Sequence, residues 1–583
     1  MGKRKGRRSR QSASELPSHV AKHSGQTLTS HTVGVLPIVN RILKRMRLEE
    51  ILQDYLPPED GRTKLPTSRA LLVLLRNILI CRDPIYGVGE WAAGWSPDVL
   101  GLDSKELGHL NDDRMGRCLE KLFDTDHSSL ALAVASHVVK EFGIQLERLH
   151  NDSTTILFFG AYDRAGRETR QRGLPTLAIT WGHSKDHRPD LKQLLYILTV
   201  SGDGAVPVYF TAASGNVTDD TTHRDTWDLL CQLTGRKDFL YVADCKLGTS
   251  ENMKHVAGNG GRFITVLPGT RREDASFRER LASEAISWQH LYDKTDEEGD
   301  ILDRYSVCDE PMVSHEGFRL LWFHSTRKAE LDLAARTGKV DRALKELAEL
   351  RQKLASPRTR YRDQAKVSKA VDQILESHGV SELIAVRIEQ SQVESYRQEK
   401  RGRPGKGTKY VKEVRTRYAI TYDVNLKRLA IARTGDGIFP LITNVDTLSA
   451  REVLDAYKKQ PLIEKRFSQL KTDFCVAPVY LKEVRRIQAL LCIYFFVLLV
   501  QALLERELRR AMKRDHVESL PMYPEGRPCR APSARRVIDL FENIQRHTLQ
   551  AGKKAPVVLT TELTRTQRQI LKLLRVPAAS YGR

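Results

Sequence analysis

Residues 457–471 read Tyr457-Lys-Lys-Gln-Pro-Leu-Ile-Glu464-Lys-Arg-Phe-Ser-Gln-Leu-Lys471, with Glu464 as the lone carboxylate midway between Tyr457 and Lys471. Each seven-residue step drifts only ~20° around a helix, so the three side chains would share a stripe about 40° wide. Ile463, Phe467, Leu470 and Phe474 follow the i, i+4, i+7, i+11 pattern on another face, which docks the helix on a core and fixes where the stripe points. A rigidly aimed acid among cations suits a metal-dependent phosphate site. An amphipathic surface helix with ordinary charges fits the same letters, so the rest of the chain decides.

A chain of 583 residues is too long for one core and predicts several structural units. Lys and Arg number 94 against 73 Asp and Glu, a net charge of +21, and the pI is about 9.5. That balance points to a polyanionic partner, nucleic acid first and an acidic membrane surface second. The eight cysteines are scattered without a Cys-x-x-Cys pair, which excludes a zinc ribbon or a disulfide scaffold and suits a reducing cytoplasm. The opening Met-Gly-Lys-Arg-Lys-Gly-Arg-Arg is basic, and no apolar stretch follows it as a signal peptide requires. Ala489 to Leu504 is apolar but falls short of the ~20 residues of a membrane span and contains Gln501, so it reads as a buried core helix with no membrane partner.

The pattern along the chain predicts a multidomain α/β protein. Residues 1–32 read as a basic disordered arm. Residues 33–147 read as a separate helical DNA-binding domain, with Asn111 to Phe123 in a helix-turn-helix. Residues 148–270 carry short β-branched and aromatic runs, at Thr154–Phe159, Leu177–Trp181, Leu194–Val200, Val206–Thr211 and Phe239–Ala243, with a helix over about 221–233. Residues 271–445 form a long α+β insertion. In it Leu333, Val340, Leu347 and Leu354 repeat at seven and suggest a coiled-coil arm. The basic linker Lys400-Arg-Gly-Arg-Pro-Gly-Lys-Gly and strand-like runs at Tyr418–Tyr422 and Leu429–Ala432 complete it. Residues 446–511 return to the sheet domain, and 512–583 form a C-terminal tail region.

Two further acids stand out by position. Asp152 lies at the start of the first strand and Asp244 at the end of a later one, with Glu464 on the helix. Three converging carboxylates repel one another unless cations lie between them. Hard oxygen ligands select Mg²⁺ or Mn²⁺. Two such ions ~4 Å apart activate a water or 3′-hydroxyl on one side of a phosphodiester and stabilise the leaving oxygen on the other. A strand-end aspartate is also a common turn or cap residue, so the weight rests on all three together.

These residues resemble the DDE transposases of bacterial insertion sequences, in the subgroup whose third acid lies in a Tyr-x2-Arg-x3-Glu-x6-Lys motif on an RNase H-like domain. The likeness covers about Leu149 to Leu504. It extends to Gly182-His-Ser-Lys-Asp-His-Arg-Pro-Asp, Gly215-Asn-Val-Thr-Asp-Asp and Ala477-Pro-Val-Tyr. It implies an RNase H-like mixed sheet with helices, interrupted by the insertion before the last catalytic helix. Asp152, Asp244 and Glu464 would be catalytic residues and ligands of two Mg²⁺ or Mn²⁺ ions, with Tyr457 and Lys471 near the DNA. The partners implied are element ends and target DNA, with a homodimer pairing two ends in the bacterial cytoplasm. Gln460 stands where the motif has arginine, and Pro461 after it would start the Glu464 helix and leave Tyr457 outside. Lys458, Lys459 and Arg466 are nearby cations able to substitute for the arginine.

Arg401-Gly-Arg403-Pro matches the core of minor-groove AT-hook arms, or is simply a flexible basic linker. His150 is either an assistant near the metals or a sheet-facing neighbour. Lys185, His187 and Arg188 form a loop that touches DNA or is only solvated. The function implied is cleavage at terminal inverted repeats and joining of the 3′-hydroxyls to target DNA. A catalytically inactive, repurposed DNA-binding protein and a structure-specific nuclease on the same fold are the alternatives.

Overall fold

The computed structural model describes residues 20–583 except 24–25, 163–169, 172, 297, 309, 357, 475–480, 553 and 583. The first nineteen residues of the basic arm and the motif Ala477-Pro-Val-Tyr therefore lie outside the described residues. The chain forms a mixed α/β protein of two compact units, one from residues 1–265 with 454–583 and the other from 266–453.

The first unit is built on five strands: β1 (Arg148–Phe158), β2 (Lys192–Ser201), β3 (Pro207–Ser214), β4 (Leu240–Ala243) and β5 (Arg262–Val266). Their spatial order is β3-β2-β1-β4-β5. β1, β2 and β3 pair antiparallel, while β1, β4 and β5 run parallel. The parallel strands are joined by helices, as parallel pairing requires. β1 begins at Arg148, so Asp152 is its fifth residue and not its first. Leu177–Trp181 is not a strand and makes one isolated bridge, Thr180 to Gln193.

The helices α1 (Thr67–Ile80), α2 (Asp112–Phe123), α3 (His127–Phe142), α4 (Pro461–Ser468) and α5 (Val484–Arg514) share one core with this sheet. α5 is the spine. It is the one helix among the described residues long and apolar enough to cross a membrane, yet 94% of its most apolar window is buried inside the protein. Phe495 stacks on Phe210 of β3 at 4.9 Å, and Phe210 on Tyr196 of β2 at 5.4 Å. Burial on all sides explains why this helix is apolar on all sides.

The same core corrects the expectation that residues 33–147 form a separate domain. α2 packs against α1 and α5. Met115, Cys118, Leu119 and Leu122 are buried, and Glu120 accepts hydrogen bonds from Arg486 at 2.7 and 2.9 Å.

Described segments near the two ends of the sequence pair with each other. Gln26–Thr32, placed by the sequence in a disordered arm, is a strand that pairs antiparallel with Gln545–Ala551, Thr29 facing Thr548. Val20–His23 and Val557–Thr560 complete a four-stranded sheet. The buried Arg546 donates to Asp98 at 2.8 Å and to Ser96 Oγ at 3.0 Å, so residues 512–583 are part of the first unit and not a loose tail.

The second unit has an antiparallel sheet of Trp288–Thr295, Ile301–Cys308, Arg319–Ser325 and Ile438–Thr443. Phe277 stacks on Trp322 at 3.8 Å to cover it. The heptad segment lies in the helix Thr326–Ala355. Its Val340, Ala343, Leu347, Leu350 and Leu354 bury against Val367, Val371 and Leu375 of the next helix, Gln364–His378, and against Ile384 and Ile420. The repeat is satisfied within the chain and is not an open coiled-coil seam; Leu333 stays 40% exposed. Leu426–Thr434 is a helix where a strand was expected, because Asn425 caps it by accepting from Arg428 N–H at 3.1 Å.

Candidate active site

β1 and β4 run parallel with Asn151 paired to Ala243, so Asp152 and Asp244 are the next residues on adjacent strands and share one face. Neighbouring strands are ~4.8 Å apart, which puts the two carboxylates side by side. Burial, reinforced by the Asp244 charge and opposed by Lys185, pushes Asp152 up to about 6.

Tyr457 closes the site from the end of the helix Ala450–Tyr457. Burial pushes its phenol up to about 12, and Asp244, Glu464 and Asp152 all add to the shift, so the hydroxyl lies in the field of all three acids. Pro461 occupies the first turn of α4, which leaves Tyr457 outside the Glu464 helix as its ring geometry demands. Glu464 is on the exposed side of α4. Ile463 and Phe467 anchor the helix inward, and a π-helical turn over Gln469–Asp473 follows. This wider turn corrects the straight-helix stripe: Lys471 is rotated out of the seven-residue register and pairs with Asp186 at 2.7 Å.

The donor set suits a hard divalent cation. Asp152 Oδ1 accepts from Ser153 N–H at 2.7 Å and from Lys185 at 3.3 Å, and Asp244 Oδ1 accepts from Lys246 N–H at 3.0 Å. No hydrogen bond among the described residues engages the second oxygen of either aspartate or the carboxylate of Glu464. The triad is nevertheless open. The only trio of acids among the described residues whose ligand atoms all lie within 4.8 Å is Asp296, Glu298 and Asp300, on an exposed turn of the second unit. Asp296 there accepts from the Glu298 and Asp300 N–H groups, ordinary turn geometry.

Lys185 and Asp219 are the members that sequence reasoning underrated or missed. Lys185 Nζ donates to Ser153 O at 2.7 Å and Ser153 Oγ at 2.8 Å, and sits 2.9 Å from Asp219. Burial opposes its charge, but Asp152 and Asp219 raise its pKa above the usual lysine value. The two loops that carry this pair interlock through glycines. A Cβ on Gly182 would lie 1.8 Å from Gly215 O, and one on Gly215 would lie 2.0 Å from Gln193 O. The available signal was the shared form of the two motifs, each a glycine followed three or four residues later by a charged residue.

Gln460 has a structural reason to be neutral. It is 6% exposed, accepts from His150 Nδ1 at 3.0 Å and donates to Asn151 O at 2.9 Å. Burial pushes His150 down to about 4, so the ring is neutral there. A guanidinium in this place would be a buried charge without an acid. His150 thus braces the start of α4 against β1, two residues before Asp152 on the same face of the strand.

The other cations divide. Lys458 and Lys459 are exposed on the turn before Pro461. Arg466 is a correction: it is 1% exposed and donates to Gly204 O, Ala205 O, Gln469 and Glu505 at 2.8 to 3.0 Å, so it holds the fold and reaches no DNA. Arg188 pairs with Asp190 at 2.7 Å on the surface. Arg401 and Arg403 are exposed in the second unit, at the turn of a hairpin.

A domain of unknown function, DUF4277, matches residues 28–136. A search of curated proteins gave no match. Among solved structures, a cryo-EM structure of the piggyBac transposase synaptic complex with hairpin DNA aligns over 87% of this chain and 78% of that chain, with 7% identity and a TM-score of 0.33.

Proposed function

We propose that the chain is a DDE-type transposase that cleaves DNA at the ends of an insertion sequence and joins the freed 3′-hydroxyls to target DNA. The observation that carries this reading is the register of β1 and β4, which sets Asp152 beside Asp244 with Tyr457 in the field of both and of Glu464. The strand order β3-β2-β1-β4-β5, with the first three antiparallel and the rest parallel, supports an RNase H-like unit.

Asp152 and Asp244 would hold divalent magnesium or manganese through their unengaged oxygens, with Glu464 swinging in from the exposed side of α4 to complete the ligand set. Bound metal supplies Lewis acidity toward the phosphodiester. The chain's own groups position it: Lys185 restrains Asp152, Tyr457 offers a hydroxyl beside the acids, and Lys458, Lys459 and Lys471 line the approach for the DNA backbone. Pairing of two element ends calls for a homodimer, and the setting is the bacterial cytoplasm.

The test uses duplexes made from the inverted repeats that flank the gene, with Mg²⁺ or Mn²⁺. Wild type nicks them at the repeat end; Asp152→Asn, Asp244→Asn and Glu464→Gln each bind the same duplex and leave it uncut. Cleavage that survives in any one of the three removes that residue from the role. Cleavage without preference for the repeat makes the protein a general nuclease.

A further inference from the structure

In the second unit, Ile384–Gln398 and Tyr410–Val424 form a two-stranded antiparallel ribbon of fifteen consecutive pairs without a bulge. Its first half is supported. Ile384, Val386, Ile388, Tyr418, Ile420, Tyr422 and Val424 pack with the helices Thr326–Ala355 and Gln364–His378. From Ser391, opposite Arg417, to Gln398, opposite Tyr410, the eight remaining pairs have no core beneath them. At ~3.3 Å per residue they extend about 25 Å beyond the helices. An unsupported two-stranded ribbon is only marginally stable in water. This one also leaves Tyr396 64%, Tyr410 53% and Val414 50% exposed on one face.

The charge of the free end says what covers it. Residues 393–415 carry eight cations, Arg397, Lys400, Arg401, Arg403, Lys406, Lys409, Lys412 and Arg415, against three acids, Glu394, Glu399 and Glu413. Two of the acids are used, Glu394 by Lys412 at 2.6 Å and Glu413 by Arg415 at 2.7 Å. Of the six cations clustered around the turn, Lys400, Arg401, Arg403, Lys406 and Lys409 have no ion pair among the described residues, and Arg397 feels only Glu413, which Arg415 already engages. The turn itself is closed by Glu399 N–H to Lys409 O at 3.0 Å and Gly405 N–H to Thr408 Oγ at 2.8 Å. Arg401 and Arg403 therefore lie in the loop at the tip of the ribbon.

We infer that this ribbon is a DNA-docking finger whose basic tip enters the major groove of a duplex, at a surface distinct from the acidic centre. The B-DNA major groove, ~12 Å wide, admits a two-stranded β-ribbon as it stands, whereas the minor groove, ~6 Å wide, must be opened to take one. The cations meet the phosphates on both sides, and Tyr396 and Tyr410 lose their exposure against the backbone and groove wall.

The inference does not require the acids to be catalytic, so the test is run without metal. Binding of the full-length protein to a generic fluorescent duplex is followed by anisotropy over a range of salt. Each lost phosphate contact lowers the slope of log K against log salt by ~0.9. The triple variant R401A/R403A/K406A is expected to lower it by 2 to 3, while K339A/K345A/K353A, on an exposed helix face of the same unit, lowers it by less than 1. The major-groove ligand methyl green should displace the tip-dependent part of the binding, and the minor-groove ligand netropsin should not. Equal effects of the two triples overturn the finger, and displacement by netropsin alone overturns the groove. A cleavage-dead Asp152→Asn protein that binds with the full slope separates this surface from the proposed active site.

Discussion

Replacing Arg466 with Met separates a residue that builds the site from one proposed to contact DNA. Its guanidinium donates to Gly204 O, Ala205 O, Gln469 Oε1 and Glu505 Oε2, and it is 1% exposed. Methionine fills much of the volume but leaves Glu505 buried with Lys465, at 3.1 Å, and the Arg509 charge to offset its own. Removing one partner of a buried ion pair costs about 3 to 5 kcal/mol. The assay is urea unfolding of the full chain, with Trp91, Trp95, Trp181 and Trp227 reporting on the first unit. With a slope near 3 kcal/mol per molar urea, the midpoint should fall by about 1 to 1.7 M.

Lys471→Met is the comparison. Its pair with Asp186 is part-exposed and such pairs are worth less than about 1 kcal/mol, so the midpoint should hardly move. Its DNA-binding slope against log salt should fall by ~0.9 for one phosphate contact. An Arg466→Met protein as stable as wild type but weak on DNA would refute the assignment and return Arg466 to the DNA face.

Restoring the motif arginine with Gln460→Arg should destabilise the first unit by about 2 to 4 kcal/mol, since two buried hydrogen bonds break and a charge enters beside neutral His150; the urea midpoint reads it. Gly182→Ala should detach the loop of Lys185, because its methyl meets Gly215 O, and a loss of amide protection in both loops by hydrogen exchange would show it. Burial raises Glu505, but Arg466 and Lys465 prevail and hold it below the usual carboxylate range. A depressed acid contributes stability above its unfolded pKa of ~4.3 and loses it as pH falls through the folded value. Wild type should therefore lose stability below about pH 4 more steeply than Arg466→Met.

What the sequence disclosed was local. Asp244 follows an apolar run and Pro461 precedes Glu464, so strand end and helix start were both written within a few residues. What it hid depends on partners far along the chain. Arg466 reads as one cation among many until Glu505, thirty-nine residues later, is folded against it. Gln26–Thr32 reads as a polar arm because its strand partner is Gln545–Ala551. The heptad of the second unit announced a buried seam but not its occupant, since Val367 and Val371 lie on a separate helix. Lys185 and Asp219 look solvated until Gly182 and Gly215 close the two loops on each other.

The loop after Gly182 then accounts for how a motif lacking its arginine keeps its parts in place. Lys185 grips β1 and Asp219, while the next residue, Asp186, accepts from Lys471 just past α4 and from Thr155 of β1 at 3.3 Å. Two adjacent side chains of opposite sign thus tie the strand of Asp152 to the segment that follows Glu464. An arginine at 460 would contribute charge from inside the β1–α4 contact, where His150 and Asn151 O leave room only for a neutral amide. Here that contact is neutral, and the positive charge nearest the acids comes from Lys185, outside it, on a loop whose position two glycines fix.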